Sequence, residues 1–89
     1  MTIIEIEKLI TKNETEKAFK ELFLYVKENP DNAKAWYLLG NVYRKHEQWG
    51  EAINALNKAK LIDPEGPADA AIESIYNIIR FMNKDLMNP

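Results

Sequence analysis

The sequence predicts an all-α fold of five helices arranged as antiparallel hairpins. Glycine and proline, the residues that most often end helices, occupy only seven positions, so long stretches rich in Ala, Leu, Glu and Lys separate them. No alternation of β-branched with polar residues and no Asn-Gly or Asp-Gly turn indicates a strand. Three pairs of identical residues are each 34 residues apart: Ala18 and Ala52, Leu22 and Leu56, and Pro30 and Pro64. A 34-residue period of paired helices predicts stacked hairpins.

The first hairpin is predicted from the apolar spacing and from a proline stop. The first helix extends from Thr2 to Thr11, where apolar residues recur at spacings of three and four. The second helix extends from Glu14 to Glu28, and Asn29-Pro30 ends it because proline disfavours helical geometry in the residue before it. Asp31 or Asn32 is then expected to cap the next helix.

The remaining three helices follow the same signals. The third is predicted from Ala33 to Lys45 and the fourth from Trp49 to Leu61, where Asp63-Pro64 stops it. Short connections between these helices require antiparallel hairpins. The fifth helix opens with Pro67, a residue favoured in the first turn, and extends to Met82. Residues 83–89 are predicted to be a frayed tail.

Length, composition and charge restrict the class of protein. Eighty-nine residues make one domain, predicted to span residues 1–89. The 12 basic and 14 acidic residues are spread along the chain, so no basic face is predicted to bind nucleic acid. Cysteine is absent, and no apolar run approaches the roughly 18 residues that would span a membrane. A cytoplasmic protein without membrane or nucleic-acid partners is therefore expected.

One stretch of the chain carries a specific repeat motif. The motif residues are Trp36, Leu39, Gly40, Tyr43, Ala52, Leu56, Ala59 and Pro64. Their spacing resembles the tetratricopeptide repeat, a helical hairpin of 34 residues. The resemblance is complete over residues 33–66, whereas residues 2–32 resemble a degenerate first repeat and residues 67–82 a terminal capping helix. It implies a short right-handed solenoid of about two repeats and a cap.

The motif residues also have a packing role that follows from their chemistry. Gly40 and Ala52 are small enough to let two helices approach closely. Trp36, Leu39 and Tyr43 share one helical face and are expected to fill the space between the hairpins.

The resemblance further implies that a peptide or helix of another protein binds in a concave groove lined by the first helix of each hairpin. In the complete repeat the groove positions are Lys34, Tyr37, Asn41, Arg44 and Lys45. They lie on the face that the packing residues leave free, and three of them are cationic, which favours an acidic segment or a C-terminal carboxylate. The alternative is a solvated face whose cations suit the negative end of the helix dipole.

The fifth helix carries an apolar seam at spacings of three and four. Its candidate self-association residues are Ile72, Ile75, Ile78, Ile79 and Met82. One interpretation is an ordinary terminal cap, whose polar outer face would contain Asp69, Glu73, Asn77 and Arg80. The alternative is a homodimer in which this helix pairs two copies of the chain, because large exposed apolar patches usually mark interaction sites.

No pattern in the sequence points to catalysis. The chain has no glycine-rich phosphate loop, no nucleophile elbow and no histidine paired with a serine in a recognisable order. His46, the only histidine, has no histidine or cysteine neighbours, whereas zinc requires three or four protein ligands. The sequence therefore predicts a binding protein without catalytic residues, metal or cofactor.

Overall fold

The computed structural model describes residues 1–87, with side chains for residues 1–82. Five helices form this part of the chain: α1 (Ile3–Thr11), α2 (Thr15–Glu28), α3 (Ala33–Lys45), α4 (Trp49–Ile62) and α5 (Ala68–Met87). No strand occurs within residues 1–87, so the predicted all-α fold is confirmed. None of these helices combines the length and hydrophobicity needed to cross a lipid bilayer.

Side chains at the helix starts explain two of the boundaries. Thr2 caps α1 through a reciprocal pair of hydrogen bonds: the Glu5 N–H donates to Thr2 Oγ1 at 3.2 Å, and the Thr2 N–H donates to Glu5 Oε1 at 3.0 Å. The hydrogen bond from the Thr2 backbone N–H favours the ionised carboxylate of Glu5 and lowers its pKa. Asn32 is the cap of α3, because its Oδ1 accepts a hydrogen bond from the Ala35 N–H at 3.0 Å.

Helix α5 is longer than the sequence predicted. The predicted end at Met82 is wrong, because the helix continues to Met87. No glycine or proline interrupts residues 83–87, and the next residue that opposes helix formation is Pro89. Of the predicted tail, Asn88 and Pro89 lie outside the described residues.

The turns inside the two hairpins have the same backbone geometry. Asn13 and Glu47 both adopt the left-handed conformation, with φ of 63° and 60°. The next residue in each turn donates a backbone hydrogen bond into the preceding helix, from Glu14 to the Leu9 carbonyl at 2.9 Å and from Gln48 to the Tyr43 carbonyl at 3.0 Å. The 34-residue period therefore includes the backbone conformation of the two turns, although the side chains of Asn13 and Glu47 differ.

Two clusters of buried apolar residues form the core. The first joins α1, α2 and α3 and takes one residue from α4: Ile6, Ala18, Leu22, Val26, Ala35, Leu39, Val42 and Ala55. The second joins α4 to α5: Ala52, Leu56, Ala59, Ala68, Ala71, Ile72 and Ile75. Trp36 and Tyr43 of α3 pack against both clusters, so α3 connects the two halves of the molecule.

Candidate functional site

Helix α3 presents two different faces to its surroundings. Its 3.6 residues per turn place Leu39 and Asn41 about 200° apart around the helix axis. The face that we call the groove face consists of the predicted partner-binding residues Lys34, Tyr37, Asn41, Arg44 and Lys45. Trp36, Leu39 and Tyr43 lie on the opposite face, where they pack as predicted among the core residues.

A cavity of about 250 Å³ lies at the N-terminal end of the groove face. Ala33, Lys34 and Tyr37 line it from α3. Ala59 of α4, the loop residues Asp63, Gly66 and Pro67, and Ala68 of α5 complete it. The Lys34 Nζ lies 3.0 Å from Glu7 Oε1 of α1. This ion pair joins α3 to α1 and places a carboxylate and an ammonium group beside the cavity.

Asn41 lies at the centre of the groove face and has an unusual environment. Its Oδ1 is buried, and no hydrogen-bond donor reaches it from the described residues. A buried amide oxygen without a donor costs about 1 to 3 kcal/mol. The amide oxygen is closed off from solvent as it is placed, so a peptide N–H reaches it only if the Asn41 side chain turns toward the groove face.

The C-terminal end of the groove face contains the other two cations. Lys45 is exposed, and its Nζ donates a hydrogen bond of 3.2 Å to Asn13 Oδ1 in the turn between α1 and α2. Arg44 is half-buried. Lys34 and Lys45 thus contact the first hairpin at the two ends of α3, with Tyr37, Asn41 and Arg44 between them.

The structure divides the predicted self-association residues of α5 into two groups. Ile75 is fully buried and Ile72 nearly so, both inside the second core cluster. These two residues therefore belong to the core of a single chain, which corrects the prediction of one continuous seam. Ile79 is half-buried, whereas Ile78 is 36% exposed and Met82 is 49% exposed.

Two further aromatic residues of α5 are exposed beside them. Phe81 is 74% exposed and Tyr76 is 44% exposed. Phe81 lies three residues after Ile78, and the sequence analysis did not select it. Ile78, Phe81 and Met82 lie within about 100° of one another around the helix axis, and we call them the α5 patch, whereas Tyr76 lies on the other side of the buried stripe of α5.

The second face of α3 also lines a cavity, which the sequence analysis did not predict. It has a volume of about 320 Å³ and lies between α2 and α4, with Trp36, Leu39 and Tyr43 in its wall. Phe19 of α2 contacts Tyr43 edge-to-face, with ring centroids 5.0 Å apart. Burial raises the pKa of Tyr43, and the Glu51 carboxylate raises it further, so the hydroxyl is neutral at physiological pH.

The described residues form no cluster of metal-binding type. Over that part of the chain, no three His, Cys, Asp or Glu side chains lie close enough to hold a metal ion. His46 is exposed at the C-terminal cap of α3.

Comparison with known proteins agrees with the helical hairpins described above. The sequence profile of the tetratricopeptide repeat family matches residues 33–65. A solution NMR structure of protein BF1650 from Bacteroides fragilis has a TM-score of 0.81 to this chain and 33% sequence identity, over 99% of this chain and 91% of that one. Curated proteins give no significant match. The chain belongs to the tetratricopeptide repeat family.

Proposed function

We propose that this chain is an interaction module that binds a segment of another protein along the groove face of α3. Tetratricopeptide repeats are in general protein–protein interaction modules, which supports the class of function. The observation that carries the proposal is the Asn41 Oδ1, which is buried without a donor among the described residues. In the proposed complex the Asn41 side chain turns toward the groove face, where a backbone N–H of the peptide supplies the missing donor.

The residues beside Asn41 indicate what such a segment contains. Tyr37 offers an aromatic surface next to the 250 Å³ cavity, which accommodates an apolar side chain. Arg44, one turn after Asn41 on the same face, offers a planar guanidinium that binds carboxylates in a bidentate manner. The proposed ligand is therefore an extended or helical segment with one large apolar residue and an acidic group or a C-terminal carboxylate.

The test is a selection of random phage-displayed peptides on the full chain, followed by affinity measurements on an Asn41→Leu variant. We expect Asn41→Leu to weaken the selected peptides about tenfold, which corresponds to about 1.4 kcal/mol for one hydrogen bond to the peptide. The same variant should keep or raise the melting temperature, because leucine removes a buried amide whose oxygen has no donor.

The matched control is Asn57→Leu, which makes the same substitution at an exposed position of α4. It should leave the affinity within about twofold of the wild type. Peptides that bind Asn41→Leu as tightly as the wild type would contradict the proposal. A large drop in the melting temperature of Asn41→Leu would also count against it, because the amide would then be stabilising the fold.

A second candidate function is homodimerisation through the α5 patch. The observation that favours it is the exposure of three large apolar side chains on one face of a short length of helix, with Phe81 the most exposed. Helix α5 has 20 residues whereas α4 has 14, so α5 is about 9 Å longer than the helix against which it packs. This function requires a dimer without any added ligand.

A further inference from the structure

The 320 Å³ cavity between α2 and α4 is an open apolar groove, which we call the second groove. Its floor consists of Trp36, Leu39 and Tyr43 from α3 together with Ala55 from α4. Helices α2 and α4 have 14 residues each and form its two walls. The lining residues extend over positions 36–43 of α3 and 51–58 of α4, so the channel is about 10 Å long, which suits about two turns of an added helix.

The groove remains open because the residue at its centre is small. Ala55 lines the groove and is 4% exposed, so its methyl group forms part of the floor. Phe23, at the opposite wall, is 43% exposed even though it lies beside this apolar surface. A partner that inserted large apolar side chains would bury Phe23 and the half-buried Trp36.

A lysine side chain lies on each wall of the second groove, one on α2 and one on α4. The Lys27 Nζ lies 5.1 Å from the ring centroid of Phe23, and the Lys58 Nζ lies 5.0 Å from the ring centroid of Trp36. Cation–π contact at these distances holds each ammonium group beside the groove instead of free in solvent. Each wall therefore presents a positive charge next to an aromatic ring.

The residues around the second groove add to its positive charge. An adjoining apolar hollow shares Phe23 with the second groove and adds Phe19, Lys20 and Leu24. The groove and hollow together contain three lysines, and Glu51 is their one acidic residue among the described residues. The whole chain carries a formal charge of -2, so the positive charge here is local and opposite in sign to that of the molecule.

We propose that the second groove binds an acidic amphipathic helix of another protein. Large apolar residues at i, i+4 and i+7 of the partner enter the channel between α2 and α4. Carboxylates on the flanks of the partner helix then reach Lys27 on one wall and Lys58 on the other. This site lies on the opposite side of α3 from the groove face, so the two sites can be tested separately.

The test uses two yeast-displayed libraries of helical peptides with Leu, Phe or Trp at i, i+4 and i+7. One library has Asp and Glu at the remaining positions, and the other has Lys and Arg. We expect selection on the full chain to enrich binders from the acidic library alone, because the rim of the groove is positive.

Three variants then locate the site of the best acidic peptide by fluorescence anisotropy. The charge reversal Lys27→Glu with Lys58→Glu should raise its dissociation constant about tenfold or more. Ala55→Leu fills the channel and should weaken binding by at least about tenfold, while the melting temperature stays the same or rises as the cavity is filled. Asn41→Leu should leave this affinity unchanged, which separates the second groove from the groove face.

The matched control for the charge reversal is Lys12→Glu with Lys17→Glu. It makes the same change in net charge at exposed positions that line neither the groove nor the hollow. It should change the affinity by less than about threefold.

Four outcomes would overturn the proposal. The first is selection that enriches basic peptides or none, and the second is an acidic peptide that binds Ala55→Leu as well as the wild type. The third is an equal loss of affinity in the two double variants, and this comparison decides alone if Ala55→Leu lowers the melting temperature. The fourth is a chain that self-associates and that loses its dimer, but not its peptide, when Ala55 is replaced with leucine.

Discussion

Asn13 and Glu47 occupy equivalent positions in the two hairpin turns, yet their side chains suit that position unequally. Both backbones are left-handed, a conformation that costs most L-residues about 1 kcal/mol or more. Asparagine tolerates it because its short side chain interacts with the local backbone, whereas glutamate has no such advantage. The second hairpin therefore contains a strained residue that the first hairpin avoids.

Replacing Glu47 with asparagine should stabilise the fold. We expect the free energy of unfolding of Glu47→Asn to rise by about 0.5 to 1 kcal/mol, because the strain in the turn is reduced. Urea denaturation followed by circular dichroism measures this change. Glu65→Asn is the matched control, since it makes the same charge change in a loop where φ is not positive, and we expect it to be nearly neutral. Equal stabilisation by both variants would assign the effect to charge.

Helices α3 and α4 approach each other most closely where α3 has a glycine. A Cβ built on Gly40 would lie 2.6 Å from Leu56 Cγ and 3.2 Å from the Ala52 carbonyl oxygen, both on α4. The branch point of a buried leucine and a helix backbone have little room to move. The absence of a side chain at Gly40 is therefore what allows this helix pair to pack.

The same substitution at two glycines should have opposite effects. Gly40→Ala should lower the free energy of unfolding by about 1 to 3 kcal/mol through overpacking, and the larger Gly40→Leu should lower it further. Gly50→Ala, in the first turn of α4, meets nothing within 4 Å and should stabilise by about 0.5 to 1 kcal/mol through helix propensity. Thermal unfolding of both variants measures the contrast. An unchanged melting temperature for Gly40→Ala would contradict this prediction and would mean that α4 moves away from α3 at little cost.

The helices follow from local signals in the sequence, whereas the second groove does not, for physical reasons. Proline stops and apolar spacing are local signals, so they predicted α3 from Ala33 to Lys45 as the structure has it. The end of α5 was missed because no residue near Met82 stops a helix. The second groove depends on the space that Ala55 leaves between helices distant in sequence. No local pattern in the sequence indicates that this space exists.

At the level of the whole molecule, the two core clusters differ in what covers them. Helix α3 lies between the first hairpin and α4, whereas the outer side of α5 has no neighbouring helix among the described residues. Residues of α5 that face inward, such as Ile75, are buried by α4, and the α5 patch is left exposed. A second chain that packed on this patch would therefore cover the end of the second cluster.

The mass of the chain in solution tests that arrangement directly. If the α5 patch forms a homodimer, multi-angle light scattering over a concentration series should give twice the monomer mass at the higher concentrations. Phe81→Glu should raise the dissociation constant about 30-fold or more, as for an interface residue that contributes about 2 kcal/mol. Ala70→Glu adds the same charge on α5 about 16 Å away and should leave the dimer intact. A monomer at every concentration excludes the dimer.

Among the residues whose side chains are described, none with a charged side chain is buried. Burial of charge is what most strongly links folding to pH, so that link is weak in this part of the chain. The ion pairs that salt screens lie at the surface: Lys34 with Glu7, and Lys60 with Asp69. Surface pairs of this kind contribute about 1 kcal/mol or less, so sodium chloride added near neutral pH changes the folded population little. An affinity that falls as salt is added thus reports on contacts with a partner, and the slope of that fall measures how many surface charges the partner meets.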